Sequence, residues 1–84
     1  MSQRWPDGLL LETHCDALGA PLRLRLQGRW HLVAEVSARW RVRRGWWRDG
    51  HWREYVTLAT QSRLLLTLAR ELPQGVWTLI ALHD

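Results

Sequence analysis

Phenylalanine, lysine and asparagine are absent from this 84-residue chain, which has a single cysteine. A lone cysteine excludes an internal disulfide and the paired-cysteine spacing of zinc sites. The longest apolar runs, LLL at 9–11 and 64–66, are far shorter than the ~20 residues of a membrane-spanning helix. The start lacks the basic and then apolar layout of a secretory signal. We therefore expect a soluble cytoplasmic protein with no metal or other cofactor and no membrane contact.

The basic residues are unusual in kind, because all twelve are arginine. Sixteen leucines and seven tryptophans accompany them, a bias that a GC-rich genome would produce by codon usage alone. The net charge of +4 is therefore better evidence than the arginine count. A basic domain has raised affinity for polyanions through counterion release.

Alternation with a period of two residues dominates the chain and is typical of strands with one buried face. In PLRLRLQ, the leucines at 22, 24 and 26 point one way and Arg23 and Arg25 the other. Gly28 and Arg29 are predicted to form a tight turn. The next strand would then place four apolar residues on one face: Trp30, Leu32, Ala34 and Val36.

The remaining strands are predicted from the same alternation and from turn residues between them. Asp49-Gly50 is a strong hairpin signal. The predicted strands are LLLETH at 9–14, ARWRVRR at 38–44, WREYVTLA at 52–59, LLLTLAR at 64–70 and VWTLIALH at 76–83. We expect an all-β fold, an antiparallel meander of six to seven strands curled into a small barrel or compact sandwich. Residues 1–8 are predicted to be a flexible lead-in and residues 9–84 a single domain.

The segment SARWRVRRGWWRDGHWREYV, residues 37–56, has two interpretations. In the structural interpretation, Trp40 and Val42 enter the core, as Trp30 and Trp77 also do, and the intervening arginines form the solvent-exposed face. In the functional one, Trp46 and Trp47 matter most. Because adjacent residues of a strand point to opposite sides, at least one of these two rings is expected to be exposed.

Exposed rings beside arginines are typical of proteins that bind single-stranded nucleic acid, where bases stack on the rings and arginines contact phosphates. Arg39, Arg41 and Arg43 would lie nearly 7 Å apart along one strand, about the phosphate spacing of an extended strand. Two alternatives remain open. An arginine can lie over an exposed indole as an internal cation–π contact. The arginine row can also pair across strands with Glu35, Glu54 or Glu71.

Enzyme chemistry has little support in the sequence. The serines lack a nucleophile-elbow context, no glycine-rich phosphate loop is present, and the histidines are scattered singly. We therefore expect a protein that is not an enzyme.

The order of the aromatic landmarks resembles a known family. Trp40-Arg41-Val42, Trp46-Trp47-Arg48 and Arg53-x-Tyr55 precede LLLTLARELPQGVWTL and the final Asp84. This order is similar to that of an uncharacterised small domain at the C-terminal end of ImuB-like Y-family translesion DNA polymerases. The domain also occurs as a short stand-alone protein in bacteria of the Deinococcus–Thermus type. The resemblance implies a DNA-repair context in which the polymerase is a separate partner, and it assigns no catalytic or binding residues.

Two functions follow as hypotheses. The first is an accessory module that binds single-stranded or distorted DNA. Its predicted contact residues are Arg39, Arg41, Arg43, Arg44, Trp46, Trp47, Arg48, Arg53 and Tyr55. The second is a protein-interaction module that docks on a DNA polymerase or repair protein, or self-associates. A nucleic-acid surface would collect basic residues around exposed rings and exclude Asp49 and Glu54, whereas a protein surface would tolerate both acids.

Overall fold

Strands are the regular secondary structure of this protein, and no helix occurs in the parts that the structure describes. The computed structural model of the chain describes residues 2–44, 51–72 and 75–83, with the backbone alone for Arg44 and His51. The seven strands are β1 (Gln3–Leu10), β2 (Glu12–Cys15), β3 (Pro21–Leu26), β4 (Arg29–Arg44), β5 (His51–Thr60), β6 (Leu65–Glu71) and β7 (Thr78–His83). Within these ranges, no helix is long and apolar enough to cross a membrane.

The strands form one antiparallel sheet in the order β1-β7-β6-β5-β4-β3-β2. From β2 to β7 each strand pairs with the next in sequence, which is the predicted meander, and β1 is added beside β7. The sixteen-residue β4 is long enough to pair with β3 from Arg29 to Leu32 and with β5 from Val33 to Arg44. The sheet curls into a half-barrel, so the predicted fold class is confirmed.

The two edges of the sheet are consecutive in the chain. β1 ends at Leu10 and β2 begins at Glu12, so only Leu11 separates the two edge strands. Leu11 is 8% exposed and packs in the core cluster. This short connection requires a curled sheet, because the opposite edges of a flat seven-stranded sheet are about 28 Å apart at the usual strand spacing.

The core fills the concave side of the half-barrel, which we call the inner face. Its buried side chains come from β3, β5, β6 and β7 and from two connections, with leucine dominant: Leu11, Leu24, Val56, Leu58, Leu66, Leu68, Trp77 and Leu79. Trp77 is 2% exposed, which confirms its predicted place in the core.

Two other tryptophans predicted to be in the core are instead on the convex side, the outer face. Trp30 is 38% exposed and Trp40 is 42% exposed, and Val42 is exposed with them. The cause is the register, because directly paired residues of antiparallel strands share a face. Trp40 pairs with Tyr55, whereas the buried Val56 pairs with Arg39.

The hairpin between β3 and β4 shows the same effect. The turn consists of Gln27 and Gly28, one residue earlier than predicted, and Leu26 pairs with Arg29. The buried Leu24 therefore pairs with His31, and Trp30 pairs with the exposed Arg25. The predicted inward face of β4, with Trp30, Leu32, Ala34 and Val36, is wrong for Trp30 and Leu32, which lie on the outer face. Ala34 and Val36 are exposed as well, whereas Val33 packs against the core.

The start of the chain also differs from the prediction. Residues 1–8 were expected to be a flexible lead-in, but Gln3–Gly8 belong to β1, which pairs with β7. The register shifts between Arg4 and Leu9, where Gly8 has a φ of 81°. A Cβ at Gly8 would lie 2.7 Å from Thr78 Oγ1, so this bulge requires glycine. The bulge hides the alternation that would otherwise have predicted the strand.

The Gln27–Gly28 turn predicts a stabilising substitution. Both residues have positive φ, 52° and 79°, the pattern of a type I′ turn that strongly prefers Asn-Gly. We expect Gln27→Asn to raise the free energy of unfolding by up to about 1 kcal/mol, since asparagine tolerates this conformation better than glutamine. Gln27→Val, with a β-branched side chain, should lower it. Urea denaturation of the three proteins measures both changes, and equal midpoints would contradict the turn assignment.

Candidate functional site

One buried carboxylate organises the arginines of the inner face. Glu54, in β5, is 0% exposed and accepts hydrogen bonds from three arginines of two neighbouring strands. From β6, Arg70 donates Nε and Nη2 to Oε1, at 3.0 and 2.8 Å. From β4, Arg39 and Arg41 donate Nε to Oε2, at 3.1 and 3.4 Å.

The three arginines differ in burial, and this decides where their charge is felt. The side chain of Arg70 is 15% exposed, so it forms a buried pair with Glu54 whose charges balance. The side chains of Arg39 and Arg41 are 47% and 61% exposed. These two cations are in excess of the one carboxylate. The site therefore presents two net positive charges to solvent.

The ionisation of Glu54 reflects the same balance. Burial by itself would raise the pKa of Glu54, because the charged form loses water. Hydrogen bonds from Arg39 and Arg70 and their positive charges act in the opposite direction and prevail, so the pKa of Glu54 lies below its ordinary value of 4.5. Glu54 is therefore an anion at neutral pH.

Arg70 is held from its other side by an indole. Its guanidinium carbon lies 4.7 Å from the ring centroid of Trp77, whose Nε1 donates to the carbonyl oxygen of Gly19. A Cβ at Gly19 would lie 2.6 Å from Arg70 Nη1. This glycine, at a φ of 84°, brings the loop between β2 and β3 against the arginine. The same loop carries the exposed Leu18, which lines an open groove with Arg39, Trp40, Arg41 and Glu54.

The basic row continues along β4 toward the end of the β4–β5 hairpin. Arg43 follows Arg41 on the inner face and pairs directly with Trp52, whose ring is 45% exposed. The inner face of this hairpin thus carries three arginines on β4 at alternate positions, with Trp52 and Glu54 opposite them on β5. Trp52 was not among the predicted site residues.

The outer face of the same hairpin is built from rings and paired charges. Trp40 and Tyr55 stack with centroids 5.3 Å apart and an interplanar angle of 6°. Arg53 lies over Tyr55 at 5.4 Å and its Nε is 3.5 Å from Glu71 Oε1. Charges of both signs therefore surround the stacked rings.

The structure divides the predicted site between two faces. Arg39, Arg41 and Arg43 lie on the inner face, and Arg53 and Tyr55 lie on the outer face. The backbone of Arg44 ends β4, opposite His51. Trp46, Trp47 and Arg48 fall outside the described residues, as does the predicted Asp49-Gly50 turn, so the inference from two adjacent indoles stays a prediction.

Sequence reasoning missed Trp52 and Arg70 as members of the inner face. Trp52 is an even-numbered residue of β5, as are Glu54, Val56 and Leu58, so alternation along the strand was enough to place all four on one face. Arg70 is likewise an even-numbered residue of β6, as are the buried Leu66 and Leu68. The cross-strand pairing of the arginine row with Glu54, one of the three acids considered, is confirmed for Arg39 and Arg41.

No family model, no curated protein and no solved structure matches this chain. The site is therefore interpreted from its own geometry.

Glu54→Gln is expected to be strongly destabilising, because removing the carboxylate leaves three guanidiniums without their counter-charge. Breaking a buried ion pair typically costs about 3–5 kcal/mol, against a total of about 4–13 kcal/mol for a domain of this size. Glu54→Gln/Arg70→Gln should be more stable than Glu54→Gln alone, since it removes the buried cation too. Urea denaturation of both variants checks the order, and additive losses would contradict the pairing.

Acid should remove the contribution of Glu54. Because its pKa is lower in the folded than in the unfolded protein, the stabilisation is complete above pH 4.5 and is lost as the pH falls through the folded value. The difference in unfolding free energy between the native protein and Glu54→Gln should therefore be constant near pH 7 and shrink below pH 4.5. Denaturation at several pH values measures this difference, and a pH-independent difference would contradict it.

Proposed function

We propose that this protein binds single-stranded DNA on the inner face of the β4–β5 hairpin. The observation that carries the proposal is the excess of exposed guanidinium over carboxylate around Glu54, continued by Arg43 beside an exposed ring. Arg39, Arg41 and Arg43 contact the phosphates of the strand, and Trp52 provides the platform on which a base stacks.

The spacing of the arginines fits this ligand. Alternate residues of a strand are about 6.8 Å apart, close to the phosphate step of an extended single strand. The two arginines nearest the core are held by Glu54, so they lose less side-chain freedom on binding than unconstrained arginines would. The acid that would otherwise repel DNA is sealed from water and balanced by Arg70.

Trp52 supplies a contribution to the binding free energy that charge alone does not. Base stacking on an aromatic ring contributes about 1–3 kcal/mol per base and tolerates any sequence. The ring stands opposite Arg43, so a nucleotide whose phosphate binds this guanidinium has its base within reach of the indole. This arrangement favours single-stranded or distorted DNA over an intact duplex, whose bases are already stacked.

The cellular setting follows only from the sequence resemblance to the small domain of ImuB-like polymerases. In that setting the protein is a non-enzymatic, cytoplasmic accessory in DNA repair, and a translesion polymerase acts on the same DNA.

The outer face supports a second candidate function, docking on a protein. Stacked Trp40 and Tyr55 lie beside Arg53 and Glu71, so charges of both signs surround the rings. A protein partner tolerates this mixture, whereas a phosphate backbone is repelled by Glu71. The partner would be the polymerase, another repair protein or a second copy of the chain.

Substitutions at Arg43 and Trp52 test the DNA proposal without disturbing Glu54. For three phosphate contacts, log K should fall against log salt with a slope of about −2. Arg43→Gln should weaken binding of an internally labelled oligonucleotide and make the slope shallower by about 0.7. Trp52→Leu should weaken binding about 5- to 150-fold and leave the slope unchanged. Fluorescence anisotropy at several salt concentrations measures both quantities.

Two matched controls come from the opposite side of the sheet. Trp30 is exposed to a similar degree and has Arg23 at 4.7 Å from its ring, and Arg25 is an exposed arginine paired with Glu12. Trp30→Leu and Arg25→Gln should change the affinity much less than the inner-face variants. Equal losses at both faces would show that binding is only a response to net charge, and no binding at low salt would refute the proposal.

A further inference from the structure

We propose that the Arg39–Arg41 pair binds the terminal phosphate of the DNA strand, a phosphomonoester dianion. This inference rests on the proposed function and adds to it where the strand ends on the inner face. It comes from three features of the described residues: the local charge, the convergence of two guanidiniums on one oxygen, and the start of the buried core beyond Arg39.

The local charge matches a dianion. Arg70 and Glu54 form a buried pair that is neutral as a unit, with Arg70 donating two nitrogens to Oε1. Arg39 and Arg41 share the other oxygen, Oε2, so the cluster of three arginines and one carboxylate keeps two positive charges. A phosphodiester within a strand carries one negative charge, whereas a phosphomonoester carries about −1.5 to −2 at pH 7. Only the terminal group neutralises both arginines at a single position.

The geometry brings both guanidiniums to one place. Arg39 and Arg41 each direct Nε to the same oxygen of Glu54, at 3.1 and 3.4 Å. Two guanidiniums that share one oxygen are close enough to share one phosphate. The Nε bonds fix the planes of both groups, and planar guanidiniums recognise phosphate oxygens through paired hydrogen bonds. A terminal phosphate offers three oxygens to these donors, one more than a diester.

The inner face beyond Arg39 is closed to a continuing phosphate backbone, because the core begins there. Arg39 pairs with Val56, which is 1% exposed, and the next inner-face position on β5 is Leu58, at 0%. Val36, which pairs with Leu58 between two register shifts, is itself apolar. A phosphate could enter this part of the inner face only by losing its water, which is costly for a charged group. A strand that enters at Arg43 therefore ends at Arg39 and Arg41.

Oligonucleotides that differ only at their ends test the inference. One sequence with an internal fluorophore is prepared with hydroxyl groups at both ends, with a phosphate at the 5′ end, with a phosphate at the 3′ end, and with the preferred terminal phosphate methylated to a diester. We expect the preferred phosphomonoester to bind about tenfold or more tightly than the hydroxyl form, the range of charged hydrogen bonds. The methylated strand should lose most of that preference because it carries one charge fewer.

Variants locate the preference at the two arginines. Arg41→Gln should bring the phosphorylated and hydroxyl strands to nearly equal affinity, and Arg39→Gln should do the same. Arg43→Gln is the matched control and should weaken both strands by the same factor, so that their ratio is kept. Thermal unfolding of each variant verifies that it is folded at the temperature of the titration. If Arg41→Gln is not folded, Arg41→Lys replaces it.

The outcomes separate this inference from the proposed function. If all strands bind equally with the expected salt dependence, the terminal site is refuted and single-strand binding stands. If no strand binds, both fall. If a phosphoserine peptide binds as tightly as the preferred oligonucleotide, the arginine pair recognises phosphate without nucleic acid, and the assignment to a DNA end is overturned. A phosphorylated strand that keeps its advantage in Arg39→Gln and Arg41→Gln also refutes the site.

Discussion

The ion pair between Glu54 and Arg70 is the constraint on which the inner face of the β4–β5 hairpin depends. A buried carboxylate is costly unless it is fully hydrogen-bonded, and here donors from β4 and β6 satisfy both of its oxygens. The same bonds connect three adjacent strands beyond their backbone ladder. They also hold two half-exposed guanidiniums in fixed orientations. One acid therefore stabilises the end of the half-barrel and prepares a cationic surface on it.

Strand positions and fold class could be predicted from alternation and turn residues, but the inward face of β4 could not be predicted from hydrophobicity. A two-residue turn pairs positions whose numbers add to an odd number, as Leu26 and Arg29 do. Even-numbered inward residues on β3, such as Leu24, therefore require odd-numbered inward residues on the part of β4 that pairs with β3. The predicted turn contained this information, since any two-residue turn has the same consequence. Assigning Trp30 to the core by its size ignored the register.

The second half of β4 follows the same rule with a less expected result. Val56 is plainly a core residue of β5, and the register then places Arg39 opposite it on the inner face, with Arg41 opposite Glu54. Hydrophobicity alone argues for Trp40 inside and Arg39 outside. The arrangement is stable because Glu54 interrupts the apolar series of β5 with a counter-charge. A buried acid among leucines and valines was the sequence feature that, combined with register, would have located the site.

Rings beside arginines do not by themselves identify a ligand surface, because this fold uses the combination internally as well. Arg23 lies over Trp30 and also donates to His14, Arg53 lies over Tyr55, and Arg70 lies over Trp77 in the core. In each case the ring and a second partner restrain the guanidinium. Arg39 and Arg41 are restrained differently, by a shared carboxylate oxygen that leaves the pair with more charge than its partner neutralises. Excess charge, held in a fixed position and open to solvent, therefore distinguishes the inner face of the β4–β5 hairpin from three other places where the same residue types meet.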